Sequence, residues 1–294
     1  MAKPKQQPTR LMLVDGHSVA FRAYHALPAS LRDAEAQPAN ALYGFLSILF
    51  RVLEDQRPTH VAVTFDHGRP FREQLFPAYK AHRDQAPQDL EPQVQKLHRV
   101  LRVLRIPVFE VDGFEADDLL ATLVHQATKR RIEIDVLSGD LDLLQLVGPR
   151  VRVVAPGKTF SEPIIYDEAR VEERYGVPPG RLRDLKALLG DPSDGIPGVR
   201  GIGLKSASAL IRRYGDLETV YQHLDSVDSP RVRRALAAGR DSAFLSRTLV
   251  ELRVDAPIRL QLEPTRRREH DRDEAQRALR HLGFEHLAER LPDL

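Results

Sequence analysis

The 294-residue chain has no cysteine and no tryptophan, two methionines, and 6% aromatic residues. The missing cysteine excludes disulfides, thiolate nucleophiles and cysteine-based zinc sites, so any metal chemistry must rest on oxygen and nitrogen ligands. The eleven histidines are scattered and make no zinc set. Long apolar runs are missing too. The first, Leu11-Met12-Leu13-Val14, follows a polar, basic start and is too short for a signal-peptide core, and no later run approaches a membrane span. The expectation is a cytoplasmic protein with no membrane partner. Nothing marks the chain as disordered: 42% hydrophobic residues can build a core for one large domain or two ordinary ones.

What is present is acid in particular places. Leu11-Met12-Leu13-Val14 ends in Asp15-Gly16, Val61-Ala62-Val63-Thr64-Phe65 ends in Asp66, and the run 132–137 leads through Ser138-Gly139 to Asp140-Leu141-Asp142. All three read as buried strands of a parallel sheet, whose carboxyl edge is where open α/β sheets bind ligands. Glu115-Ala116-Asp117-Asp118 opens the helical pattern Leu119, Leu120, Leu123, Val124. Complementing the helix dipole would explain acids in a first turn, but three in four positions exceed what a cap needs. With Asp191 and Asp194 the acids number nine. Neighbouring carboxylates raise one another's pKa, so such a cluster points to divalent cations.

The formal charge of +2 hides a basic excess once these nine acids are set aside. Arginine outnumbers lysine 36 to eight, which suits phosphate recognition, although GC-rich codon usage would give the same bias. Between Asp66 and Glu115, the segment from Phe71-Arg72-Glu73 to Tyr79-Lys80-Ala81-His82-Arg83 mixes cations with aromatics, as a single-strand channel or gate would; a solvated loop is the plainer reading. A helix over 90–103 and a further strand over 106–111 follow.

Near Tyr175-Gly176-Val177-Pro178-Pro179 the texture turns helical, which divides the chain into regions 1–175 and 176–294. Gly190-Asp191-Pro192-Ser193-Asp194 is followed by Arg200-Gly201-Ile202-Gly203-Leu204-Lys205-Ser206 and a helix over 208–214. Glycines at 201 and 203 permit a tight hairpin whose amides, beside a helix N-terminus, would cradle phosphate without reading bases. A structural turn between helices is the commoner reading of a lone Gly-x-Gly.

Six motifs now stand in order: Leu13-Val14-Asp15-Gly16; Phe65-Asp66; Tyr79-Lys80-Ala81-His82-Arg83; Gly113-Phe114-Glu115-Ala116-Asp117-Asp118; Ser138-Gly139-Asp140-Leu141-Asp142-Leu143-Leu144-Gln145-Leu146; and Gly190-Asp191-Pro192-Ser193-Asp194 with the hairpin. Over roughly residues 10–260 the chain resembles the bacterial 5′-nuclease family, the flap-endonuclease relatives that form the N-terminal domain of DNA polymerase I and also occur as separate proteins. Beyond 260 the resemblance fades to a basic patch, Arg266-Arg267-Arg268, and a last amphipathic helix with Leu279, Leu282, Leu287 and Leu291.

The resemblance implies a PIN-like α/β fold: a mostly parallel sheet flanked by helices, with a helical arch in region 1–175 and a helix-hairpin-helix DNA-binding motif in region 176–294. It implies two Mg²⁺ ions, or Mn²⁺, with K⁺ at the hairpin. Asp15, Asp66, Glu115, Asp117 and Asp118 would serve mainly one ion, and Asp140, Asp142, Asp191 and Asp194 the second. Lys80 and Arg83 would be catalytic groups on the arch. DNA would meet Arg22 and Tyr24 at the entrance, Arg72 and Tyr79 in the basic segment, and Arg200, Gly201, Gly203, Lys205 and Ser206 at the hairpin. The implied substrate is DNA with a 5′ flap, nick or gap, or an RNA primer in a hybrid, bound by a monomer during primer removal and repair. The chain departs from the family pattern at Phe21, Leu141, Gly195 and Leu204, none of them a proposed ligand. A non-catalytic DNA-binding module would not need nine retained acids, and a PIN-like ribonuclease would not need the hairpin.

Overall fold

The computed structural model describes residues 9–83, 86–157, 163–267 and 272–292. Its strands are β1 (Arg10–Asp15), β2 (His60–Thr64), β3 (Val108–Phe109), β4 (Glu133–Leu137), β5 (Val151–Ala155) and β6 (Ile164–Tyr166). They form one sheet in the order β3-β2-β1-β4-β5-β6, parallel throughout except for the β5–β6 pair. The chain fills the sheet outward from β1 first on one side and then on the other, so the topological switch point falls between β1 and β4.

Alternate residues of β1 serve two cores. Met12 and Val14 join Phe45, Leu49 and Leu97 on one face, while Leu11 and Leu13 join Leu120, Leu123 and Leu185 on the other. Burial on both faces is why this central strand reads as an unbroken apolar run. The helix Leu90–Val103 takes the expected span, and Leu90, Val94, Leu97 and Leu101 line its buried face. The strand expected over 106–111 shortens to β3.

The helical region does not pack as a separate body. Val177, Leu182, Leu210, Leu217 and Leu236 continue the core cluster that contains Leu11 and Val136. The last helix is two: Arg272–His281 and Glu285–Glu289 are broken at Gly283, whose φ of 78° ends the first. Leu279, Leu287 and Leu291 nevertheless all reach the β1–β2 face of the core. Arg268 of the basic patch lies outside the described residues. No helix among the described residues is long and apolar enough to cross a membrane.

Candidate active site

The acids gather at the carboxyl edge of the sheet. Asp15, the last residue of β1, caps the helix Gly16–Ala26: its Oδ1 accepts from Ser18 N at 3.0 Å and its Oδ2 from Ser138 Oγ at 2.7 Å. Burial, with Asp66 and Asp140 nearby, pushes its pKa up to about 7 against the Ser138 and Ser18 hydrogen bonds. Asp66 lies just past β2, where its Oδ1 accepts from Ala116 N at 2.7 Å. Asp117, in the first turn of the helix Ala116–Thr128, is raised well above the carboxylate range by desolvation and then by Asp140 and Asp15. Asp140 caps the 3₁₀ turn after β4, with Oδ1 accepting from Asp142 N at 2.8 Å. Burial raises it as well, helped by Asp194 and Asp191 and opposed by Lys186 and Lys80. Asp15, Asp117 and Asp140 therefore form a centre in which ionisation is penalised by desolvation and by like charge.

The other carboxylates are held by cations of the chain. Lys80 Nζ reaches Glu115 Oε1 at 2.5 Å and stands 3.9 Å from Asp194. Burial would raise Glu115, but Lys80 and Arg72 outweigh it and hold the carboxyl below its ordinary value. Arg83 pairs with Asp194 through Nη2 and donates from Nε to Ser193 O at 3.0 Å. Lys186 pairs with Asp142 and lies 3.7 Å from Asp191. Asp191 is lowered: burial is outweighed by the Ser193 hydroxyl and Lys186. Lys186 itself is pushed down by burial, against Asp191 and Asp140.

Four expectations for this region need correction. Asp118, expected with the metal ligands, faces the protein interior instead. It is fully buried, with Arg72 on both carboxylate oxygens at 2.7 and 2.8 Å and Arg253 N on Oδ1 at 2.9 Å. Helix geometry turns it away from the site that its neighbour Asp117 faces. Arg72 is equally unable to meet DNA, being 2% exposed and surrounded by acceptors. Tyr79 is buried too, its hydroxyl 3.1 Å from both Glu115 oxygens. The expected helical arch is also different. Among the described residues of 71–83 only Phe71–Leu75 is helical, and the turns that follow dock on the acid cluster, with Lys80 N donating to Asp194 O at 2.8 Å. Gly195 permits this docking, because its φ is 72° and an added Cβ would lie 2.7 Å from Ala78 O.

Arg22 stands beside the site, its Cδ 3.7 Å from where a Cβ on Gly139 would project, and its guanidinium donates to Gly157 O at 2.5 Å. Tyr24 turns elsewhere, donating to Asp89 Oδ1 at 2.8 Å. At the hairpin, buried Val199 and Ile202 anchor the loop while Arg200, Gly201, Gly203 and Lys205 are exposed and Ser206 is half-buried. Gly201 has φ 89°, and Gly203 caps the helix Leu204–Tyr214, which begins earlier than the expected 208. Leu204 is exposed.

Sequence reasoning missed Lys186, Ser138 and His17, whose Nδ1 accepts from Asp66 N at 3.0 Å. Lys186 had one faint signal: a lysine in the apolar helix Leu182–Leu189 of an arginine-rich chain.

The donor set is all oxygen, as hard divalent cations prefer. Among the described residues no three carboxylate or imidazole groups already stand in a metal-ligating arrangement; the chain's own cations occupy several of the oxygens. The oxygen donors of Asp15, Asp117 and Asp140 suit a divalent cation chemically, because such an ion would offset the burial that chiefly raises all three and the like charge that adds to it.

Residues 10–176 match the family model described as the 5′-3′ exonuclease N-terminal resolvase-like domain, and residues 177–273 match the 5′-3′ exonuclease C-terminal SAM fold. The chain is 39% identical to DNA polymerase I of Bacillus caldotenax over 283 residues, covering 96% of this chain and 32% of that protein. It thus spans about a third of the length of the curated relatives it matches. Among solved structures, T5 5′-exonuclease with bound zinc superposes with a TM-score of 0.66 at 23% identity, covering 96% of both chains. The catalytic core of Rad2 in complex with DNA substrate superposes with a TM-score of 0.65 at 16% identity, covering 99% of this chain and 94% of that one. At these identities the likeness shows the shared fold, a mostly parallel sheet flanked by helices with a helical C-terminal region.

Proposed function

The chain belongs to the 5′-3′ exonuclease family, and on that premise we propose that it is a structure-specific nuclease that hydrolyses DNA phosphodiester bonds at 5′ ends and flaps, in primer removal and repair. The observation that carries this reading is the desolvated centre of Asp15, Asp117 and Asp140 at the switch point of the sheet. Mg²⁺ is the proposed cofactor, as two ions, with Mn²⁺ able to replace it and K⁺ at the hairpin. Bound there, the ions would supply an activated water and stabilise the departing 3′ oxygen.

Asp15, Asp66, Glu115, Asp117, Asp140, Asp142, Asp191 and Asp194 are the proposed ligands. Ser138 and Ser18 orient Asp15, and Ser193 orients Asp191 through hydrogen bonds from its N at 2.9 Å and its Oγ at 2.6 Å. Lys80 and Arg83, which pair with Glu115 and Asp194 in this structure, would be free to offset charge on the scissile phosphate were those acids to hold the ions. Arg22 lies at the entrance. Arg200, Gly201, Gly203, Lys205 and Ser206 hold duplex phosphates from region 176–294, while region 1–175 carries most of the chemistry and region 176–294 adds Asp191 and Asp194 to it. The protein acts as a cytoplasmic monomer on flapped, nicked or gapped DNA, including RNA primers in hybrid.

End-labelled flap, nicked, blunt duplex and single-stranded substrates test this. Cleavage should require Mg²⁺ or Mn²⁺ and stop with chelator. Asp140→Ala should lose several orders of magnitude in single-turnover rate while flap affinity stays within about tenfold. Undiminished cleavage in excess chelator would refute the reading.

A further inference from the structure

Arg72 places all five of its N–H donors inside the protein. Its Nε donates to Leu249 O at 2.8 Å; Nη1 donates to Glu115 Oε2 at 2.6 Å and Asp118 Oδ2 at 2.7 Å; Nη2 donates to Asp118 Oδ1 at 2.8 Å and Glu251 O at 2.7 Å. Two of these acceptors are backbone carbonyls at the end of the helix Arg240–Val250. The same helix grips the loop that leads to the hairpin: Ser246 Oγ accepts from Gly198 N at 2.9 Å, and Ser242 Oγ donates to Gly198 O at 2.6 Å. One side chain therefore joins an acid-cluster carboxylate to the element that holds the start of the hairpin.

We propose that Arg72 is a positioning residue that fixes Glu115 relative to the hairpin, with Asp118 as the buried counter-charge that sets the plane of its guanidinium. The proposal rests on the reading above in one respect, that Glu115 is a metal ligand. The geometry demands arginine. A bidentate pair with Asp118 leaves the remaining donors aimed at fixed points, whereas an ammonium group is a point charge with no such fork. Glu115 also needs a second holder. Lys80 reaches its Oε1 from a segment of turns, while Arg72 reaches its Oε2 from within the core. Residues that orient a metal ligand from behind typically change metal affinity 10–100-fold when replaced.

Two variants separate positioning from simple stability. Arg72→Lys keeps the charge and loses the fork. The double variant Arg72→Gln with Asp118→Asn removes both buried charges together, so neither is left uncompensated. Each would be compared with the parent for Mn²⁺ affinity by electron paramagnetic resonance without DNA, for amide exchange over 249–253, and for kcat and KM on a flap. The expected result is Mn²⁺ binding about tenfold or more weaker, faster exchange over 249–253, and a lower kcat at nearly unchanged KM, in protein with the parent's circular dichroism. A folded variant with the parent's Mn²⁺ affinity would overturn the positioning role. So would weakened Mn²⁺ binding with unchanged exchange over 249–253, since Glu115 would then not be tied to the hairpin element through Arg72. Failure of both variants to fold would make Arg72 a residue of the fold alone and would also overturn it. If the parent itself bound no Mn²⁺, the nuclease reading would fail, and the exchange arm would still decide whether Arg72 holds this segment.

Discussion

Asp15→Asn should stabilise the metal-free protein. Asp15 ordinarily titrates near 3.8 and is held at about 7 in the folded chain, so above pH 7 its ionised form costs the fold roughly 4 kcal/mol. The sign follows from proton counts. Between 3.8 and about 7 the folded protein binds the proton and the unfolded chain has lost it, so stability falls as pH rises through that window. Asparagine is neutral in both states and fits the site: Oδ1 can keep the Ser18 N–H cap and Nδ2 can donate to the Ser138 hydroxyl. Urea unfolding in chelator should show the variant gaining up to roughly 4 kcal/mol at pH 8 and roughly 2 kcal/mol at pH 5, with nothing left below the unfolded pKa. Added Mg²⁺ should stabilise the parent more at pH 8 than at pH 5 and the variant little at either, because metal binding and deprotonation are linked. A gain independent of pH, or no gain at pH 8, would show that Asp15 carries no desolvation penalty, and the argument for a cation at this centre would lose its basis.

Asp118→Ala should destabilise the protein by about 3–5 kcal/mol in urea unfolding, since it leaves the Arg72 guanidinium buried without its main partner; wild-type stability with lost cleavage would return Asp118 to the metal site. Lys80→Ala and Arg83→Ala should slow single-turnover cleavage by less than Asp140→Ala does, because they assist the reaction without holding its centre; silence of both would make 76–83 only a loop. Gly203→Val should keep the parent's thermal melt, since its φ is −105° and a Cβ there meets nothing within 4 Å. The same variant should lose affinity for flap DNA relative to single strands, and an unchanged ratio would remove the hairpin from duplex binding.

The acid-tipped strands were legible from residue order because the cause is local: a strand buried on both faces is an apolar run, and the residues ending it must lie at the sheet edge. Asp15, closing β1, needed no tertiary information. The helix Leu90–Val103 was visible for the same reason, its apolar spacing being a property of neighbours. What the tertiary structure decided was which charges face one another. Asp117 and Asp118 are adjacent and of one chemistry, yet one enters the acid centre and the other pairs inward. That choice depends on Arg72, 46 residues earlier, and on the backbone of Arg253, 135 residues later. Arg72 itself lies in a stretch whose composition is that of an exposed basic loop, and Lys186 in one whose composition is that of a core helix. Their roles come from contacts across the sequence with acids that pair with them only in the folded chain. Local pattern fixes where a side chain leaves the backbone, but the partner that settles its charge is supplied by long-range packing.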